Sequence, residues 1–281
     1  MASARVGISG WRYPPWRGQW YPAGLAQRRE LEYSSSRLNS IELNGSFYSL
    51  QRPQNYLAWY DQTPKDFVFS VKGGRFITHL KRLNDVEIAL ANFFASGVLA
   101  LRDRLGPVLW QLPESHAFDA DQLARFFAML PRTTGEALAL AGKHDARLDD
   151  RDWLLRQPDR VMRHALEARH PEFVGERIAQ LLRDNDIAFV VADSAGKWPQ
   201  NRAVTSDFVY ARLHGADELY ASGYTSEGLD AWAVDIRAWL DSGRDVYVYF
   251  DNDMKVHAPF NALSLAARLG IDWPTVSANP T

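Results

Sequence analysis

Glu42, Glu167 and Asp193 are carboxylates at the ends of apolar runs, and Lys72, Arg169, Arg212 and His214 are bases in the same kind of position. Glu42 alternates with Ile41 and Leu43, between Ser40 and Asn44. Lys72 follows Ser70 across Val71, and Arg169 follows Glu167 across Ala168. Tyr210, Arg212 and His214 alternate with Val209, Ala211 and Leu213, and Gln111 closes a further run. Side chains of a strand repeat with period two, so each set leaves from one face. Three carboxylates facing three cations and a neutral His fit two kinds of chemistry. Glu42 or Glu167 would act as general base, with His214 as acid or as an orienting group. Arg169, Arg212 and Lys72 would neutralise charge on a phosphate or carboxylate, which Arg grips through paired hydrogen bonds. The bland alternative is a self-compensated ion network that only holds the fold. The desolvation cost of buried pairs argues against a purely structural role.

Gly73, Gly74 and Gly215 follow these strand ends and would let a ligand approach the backbone closely. The loop Asp251-Asn252-Asp253 is acidic, which moves an expected phosphate towards Lys72 and Arg212. Trp11, Asn44, Tyr48, His79, Gln111, Tyr224 and Asn252 are expected to line the site and contact substrate. Trp110 and Trp198 extend this aromatic rim and keep a sugar ligand open. A glycosidase would need two carboxyls roughly 5–10 Å apart with separated pKa values. Glu42 and Glu167 are the candidates, but nearby bases would keep both ionised.

Cysteine is absent, which removes disulfides, thiolate nucleophiles and Cys-type zinc sites. His79, His170 and His214 could join carboxylates around a metal, yet no HxH or HExxH pair occurs. No tightly bound metal or cofactor is expected, and a loosely bound divalent ion is compatible. His116, His144 and His164 read as solvated or partly packed, and His257 as a loop residue. No nucleophile elbow accompanies a Ser-His-Asp order.

Something must hold these strand ends together. Eight strands are expected, at Val6–Gly10, Asn39–Asn44, Phe67–Lys72, Pro107–Leu112, Ala165–His170, Ile187–Asp193, Phe208–His214 and Asp245–Asn252. Leu123, Phe126, Phe127 and Leu130 have helical spacing, with Asp119 as N-cap. Val174, Ile178, Leu181 and Leu182 repeat the pattern, as do Leu229, Trp232, Ala233, Ile236 and Leu240, with Ser226 as the cap. A long helix is expected from Asn84 to Leu105, broken near Gly97, and a last one from Pro259 to Leu269. Strands alternating with helices predict an α/β fold, a (β/α)8 TIM barrel. An open doubly wound sheet is the runner-up, but it would gather its site at one switch point. A longer connection, Pro131 to His164, separates helix four from strand five. It is expected at the bottom of the barrel, with a short helix near Trp153–Leu155.

The chain of 281 residues suits one such domain, spanning 1–281. Its net charge of −2 provides no global basic field for nucleic acid, though a local basic cleft could still hold a short strand. No apolar run reaches the roughly 20 residues of a membrane span. The N-terminus lacks a leader pattern, and a cytoplasmic protein is expected. Ten Trp are many for this length. Trp11, Tyr13, Trp16, Trp20 and Tyr21 form either a packing corner or a stacking wall.

The ordered motifs resemble the YecE-like family, a TIM-barrel domain of unknown function. They are Gly7-x-Ser9-Gly10-Trp11, Glu42-x-Asn44-x-x-Phe47-Tyr48, Phe69-Ser70-Val71-Lys72 and Ile77-Thr78-His79. Trp110-Gln111-Leu112-Pro113, Glu167-x-Arg169-His170, Tyr210-x-Arg212-x-His214-Gly215 and Tyr247-x-Tyr249-Phe250-x-Asn252 follow. The resemblance runs from Val6 to about Leu269. It departs where the family often has a Trp after Glu-x-Arg and this chain has Pro171-Glu172-Phe173. The resemblance implies the barrel and carries no reaction. Together the residues point to a small anionic ligand or short nucleic acid at the C-terminal face, with phosphoester hydrolysis as the leading reaction. A non-catalytic binding protein and a carbohydrate-active enzyme are the alternatives.

Overall fold

The computed structural model describes residues 2–273. Its strands are β1 (Ala4–Ser9), β2 (Ser40–Leu43), β3 (Val68–Lys72), β4 (Leu105–Gln111), β5 (His164–Glu167), β6 (Ile187–Phe189), β7 (Val191–Asp193), β8 (Phe208–Leu213) and β9 (Asp245–Phe250). Every pairing is parallel, in the order β6-β5-β4-β3-β2-β1-β9-β8-β7. Only Val190 separates β6 from β7, and its N–H donates to the Leu166 carbonyl at 3.0 Å. β6 pairs with β5 and β7 with β8. They are two halves of one bent strand that brings the sheet to a nearly closed barrel. The expected eight runs and the nine observed strands therefore describe the same architecture.

Helices surround the strands: α1 (Glu30–Ser35), α2 (Gly45–Tyr48), α3 (Pro53–Asp61), α4 (Glu87–Ala95), α5 (Ala120–Met129), α6 (Thr134–Ala141), α7 (Glu176–Asp184), α8 (Ser226–Asp241) and α9 (His257–Arg268). Asp119 caps α5 by accepting the Gln122 N–H at 3.0 Å, which satisfies a donor the helix itself cannot. Thr225, rather than Ser226, caps α8 through the Gly228 N–H at 3.1 Å. The long helix expected from Asn84 starts at Glu87 and stops at Ala95. Gly97 turns at φ 113, and Val98–Arg104 follows as tight 3-10 turns. Leu105 already belongs to β4.

The Pro131–His164 connection enters β5 at its N-terminal end, and its helix packs against α4. Its helix is α6, capped by Thr133 on the Glu136 N–H at 3.1 Å. Gly135 and the run Ala-Leu-Ala-Leu-Ala hide the helical period in this stretch. Trp153–Leu155 is not helical. It belongs to an irregular stretch tied to the end of α4 by the Trp153 N–H on Ala95 and to the following 3-10 turns by Gln157 Nε2 on Leu99, both at 2.8 Å.

Alternation sorts each strand between two apolar regions. Trp110, fully buried, leaves β4 outwards and packs against Phe93 and Phe126. It therefore does not belong to the rim. Leu109, Ala165, Ala188, Val190 and Ala192 point inwards with Tyr210, Tyr247 and Tyr249. Tyr249 lies 2.7 Å from Ser40 Oγ, and Tyr210 lies 2.6 Å from Ser70 Oγ. These hydroxyl contacts fill the middle of the barrel. Gly7 is needed here because a Cβ would sit 1.9 Å from the Ser40 carbonyl oxygen. No helix of the described residues is long and apolar enough to cross a membrane.

Candidate functional site

Above the tyrosines, the inward positions at the C-terminal strand ends carry charge. Ser9 ends β1, Glu42 lies in β2, Lys72 ends β3, Gln111 ends β4, Glu167 ends β5 and Arg212 lies in β8. Ser9 is in register with Glu42, and Gln111 with Glu167. Arg212 is the hub. Its Nε and Nη2 donate to the two oxygens of Glu42 at 3.0 and 2.9 Å. Nη1 donates to Glu167 at 2.6 Å, and Nη2 also reaches Asp251 at 3.0 Å and Ser9 at 3.1 Å. Glu42 accepts further bonds from Ser9 at 2.5 Å and Tyr210 at 2.6 Å. Arg212, Glu42 and Glu167 are all essentially inaccessible to solvent.

The electrostatics follow from this contact map. Burial pushes the Glu167 carboxyl up, but Arg212, Arg169, His214 and Lys72 together hold it well below the usual range. Asp251 behaves the same way, held low mainly by Arg212. Burial lowers His214, and Asp251, 3.0 Å from its Nδ1, opposes this. Asp253 moves in the other direction. Burial and the neighbouring Asp251 push it up to about 6. The Tyr13 hydroxyl, which donates to the Ser9 carbonyl, is raised by burial and by Asp253.

Two cations are not absorbed by the hub. Arg169 donates through Nε to Glu167 at 2.7 Å and stacks on Trp198, its guanidinium carbon 3.6 Å from the ring centroid. Trp198 is held in turn by its Nε1 on Glu114 at 2.7 Å, and its edge meets His214. Lys72 is buried with its Nζ 4.3 Å from the Phe47 ring centroid. Burial, then Arg212, lowers its pKa to about 8. His79 sits in the π-helical turn Phe76–Leu80 with its ring against Phe47. Burial and the charges of Lys72 and Arg169 hold it down to about 4, so it is a neutral imidazole.

Beside this centre is a cleft of about 250 Å³, lined by Trp11, Arg12, Tyr13, Asn44, Tyr48 and Trp59 among others. Asn44 donates to Ser9 Oγ at 2.9 Å, while its Oδ1 is buried without a partner. Tyr48 is 70% exposed and meets the edge of Phe47, so the cleft and the Lys72 amine share a wall.

Several expected site residues lie elsewhere. Asp193 does not join the hub. The inward positions of its run are Val190 and Ala192, so Asp193 faces the other way and accepts the Tyr224 hydroxyl at 3.0 Å. Tyr224 is thereby a brace between Asp193 and the Gly215 N–H. Asn252 braces loops as well, through Ser222 O at 2.9 Å and Asn261 Oδ1 at 3.0 Å. Gly73 and Gly215 serve packing, whereas a Cβ on Gly74 would meet nothing closer than 3.8 Å. A Cβ on Gly73 would meet the Trp110 ring at 2.3 Å, and one on Gly215 the Glu218 carbonyl at 2.4 Å. His164 is fully buried, between Trp110 Nε1 at 3.2 Å and the Pro131 carbonyl at 2.7 Å, and His116 is buried too. Trp16, Trp20 and Tyr21 are buried as a packing corner, leaving Trp11 and Tyr13 at the cleft. Sequence reasoning missed Asp251, which continues the Tyr247-x-Tyr249 alternation, and Ser9, which lies two residues after Gly7. Among the described residues no group of three or more His, Asp or Glu is arranged to hold a metal ion.

A nearly closed barrel of parallel strands ringed by helices, with its charged residues at the C-terminal strand ends, defines a TIM-barrel protein. The chain belongs to the family described as protein of unknown function DUF72, whose model matches residues 5–281. It is 28% identical over 131 residues to the UPF0759 protein YecE of Escherichia coli strain K12, covering 47% of this chain and 44% of that protein. It is 32% identical over 119 residues to the UPF0759 protein YunF of Bacillus subtilis, covering 38% of this chain and 39% of that one. The chain thus spans less than half the length of these curated relatives. A crystal structure of a DUF72 family protein from Thermotoga maritima superposes with a TM-score of 0.76 at 25% identity, covering 95% of this chain and 99% of that one. Another, from Enterococcus faecalis, gives 0.72 at 15% identity, covering 96% of each chain.

Proposed function

We propose that the C-terminal mouth of the barrel binds a small ligand bearing a phosphate or carboxylate, with Arg169 and Lys72 as its cationic contacts. The observation that carries this reading is the unequal use of the three cations. Arg212 is fully buried and directed at Glu42, Glu167, Asp251 and Ser9. It organises the floor of the site and is poorly placed to grip a ligand. Arg169 keeps its Nη groups outside the bond to Glu167, with 13% of its side chain exposed. Stacking on Trp198 pre-orients the fork, which lowers the entropy lost on binding. The Trp11–Tyr48 cleft offers space for a flat or apolar portion of the same molecule. No tightly held metal is part of this reading, and a loosely bound divalent ion is compatible with it.

The carboxylates decide among reaction classes. Glu42 and Glu167 are saturated by hydrogen bonds to the hub, and Glu167 is held firmly ionised. Glu167 therefore lacks the raised pKa that a glycosidase acid requires, and Glu42 has no free oxygen to offer a leaving group. Phosphoester cleavage would draw its acid or base from Asp253, raised towards neutrality beside Tyr13. The test is a thermal-shift panel of inorganic phosphate, sugar phosphates, nucleotides, small carboxylates, short single-stranded nucleic acids and neutral glycans. A ligand bound only by the folded state raises Tm. Stabilisation by anions that disappears in Arg169→Ala supports the reading. Stabilisation by neutral glycans alone would overturn it.

A further inference from the structure

Lys72 is set apart from the chain's other lysines. Lys65, Lys81, Lys143, Lys197 and Lys255 are exposed, and two of them pair with carboxylates, Lys197 with Glu114 at 3.2 Å and Lys255 with Glu218 at 3.0 Å. Lys72 alone is buried, and no carboxylate oxygen among the described residues lies within 4.0 Å of its Nζ. The carboxylates closest in chemistry are already engaged. Glu42 is taken by Arg212, Ser9 and Tyr210, and Glu167 by Arg212 and Arg169. The amine instead faces an aromatic wall, Phe47, with Arg212 as a like-charged neighbour. A structural lysine in a barrel interior would be expected to pair. An amine that is desolvated, unpaired and beside another cation is set up as a nucleophile.

We propose that Lys72 forms an imine with a small carbonyl compound that also carries an acidic group, of the 2-oxo acid kind. The inference rests on the anion-binding reading above and names the substrate class for the same site. Arg169 would hold the acidic group, and the carbonyl carbon would face Nζ. The free amine adds to that carbon, forming a C–N bond while the carbonyl oxygen takes a proton. The carbinolamine then breaks its C–O bond, and the oxygen leaves as water. The balance is an ammonium and a carbonyl giving a protonated imine and water, with no oxidant or reductant. With its pKa lowered to about 8, a useful fraction of Lys72 is unprotonated at neutral pH.

Borohydride trapping tests this. The full chain is incubated with pyruvate or glyoxylate and sodium cyanoborohydride, then analysed by intact mass and peptide mapping. The expected result is one reduced adduct per chain, mapped to Lys72 and lost to background in Lys72→Met, whose stem fills the same space. Melting curves verify that this variant is folded. Adducts spread over the exposed lysines, or a yield unchanged in Lys72→Met, would overturn the proposal. Thermal shifts with phosphate and pyruvate are read in parallel without reductant. Anion-induced stabilisation without trapping at Lys72 removes the imine inference and leaves the anion-binding reading intact. Trapping at Lys72 by neutral propanal as readily as by pyruvate, with no anion-induced shift, overturns the anion-binding reading and with it the acidic substrate class, and leaves only the amine's reactivity.

Discussion

The guanidinium carbon of Arg169 sits over the indole of Trp198, 3.6 Å from the ring centroid, while its Nε is anchored to Glu167. Glu114 fixes the far edge of that indole through Trp198 Nε1. The orientation of Arg169 therefore depends on residues from two other loops. Charge-assisted hydrogen bonds are worth roughly 1.5–3 kcal/mol. Arg169→Ala should weaken binding of an anionic ligand about tenfold to a hundredfold. Trp198→Leu leaves the charge and removes the stacking platform, so its loss should be smaller. Isothermal titration decides, and equal losses would show that the stacking positions nothing.

Arg212 should behave as a keystone of stability. Removing it leaves Glu42, Glu167 and Asp251 facing one another without their shared cation. Breaking a buried ion pair typically costs about 3–5 kcal/mol. Arg212→Met should lower the urea midpoint by an amount corresponding to at least that range, while the conservative Arg212→Lys should fall between it and the parent. A near-neutral Arg212→Met would mean that the carboxylates simply take up protons.

Among the groups that shape acid stability, His164 and Asp253 act with opposite sign. Burial holds His164 down to about 4, with its Nδ1 accepting from Trp110 and its Nε2–H donating to Pro131. In the unfolded chain an ordinary His titrates near 6.5, so the unfolded state binds more protons between these values. Stability from His164 is complete above about pH 6.5 and lost as pH falls towards 4, by about 3 kcal/mol. Asp253 is raised to about 6, so the folded state binds more protons than the unfolded one below that pH. Its contribution increases as pH falls from 6 towards 4. Chemical denaturation at stepped pH should show a shallower acid slope in His164→Gln and a steeper one in Asp253→Asn.

Metal content is the fourth expectation. The hub carboxylates already accept from Arg212, which competes with a divalent ion for the same oxygens. Protein purified without chelator and dialysed should contain well under one equivalent of zinc, manganese or iron by elemental analysis. A full equivalent that survives dialysis would require the hub to rearrange around it.

The barrel was legible because each strand is a short apolar run whose alternation survives to its last residue. Glu42, Lys72, Glu167, Arg212 and His214 could be grouped for that reason. Asp193 was misplaced because β7 is only half a strand. The phase of the alternation, set by Ala192, turns Asp193 outwards. Asp251 was legible in principle, two residues beyond Tyr249, but read as part of an acidic loop. No local pattern reveals that Arg212 is enclosed while Arg169 remains available, because that depends on contacts across the barrel. Trp110 and His164 were hidden for the same reason. Their roles depend on helix α5 and the Pro131 turn closing over them.

The bend at Val190 leaves the cylinder joined on that side by two staggered half-strands of three residues each. The β3–β4 joint shifts register between Phe69 and Val71, but there both strands remain continuous. The seam at Val190 lies between the strand that bears Glu167 and the one that bears Arg212. The ion pair between these two residues, at 2.6 Å, spans the gap like a rivet. The charges that shape the mouth thus also clasp the wall where one strand is broken in two. Slight parting there would loosen the grip on Glu167 and, through it, on Arg169. The mouth and the wall thus share one fastening, the Arg212–Glu167 pair.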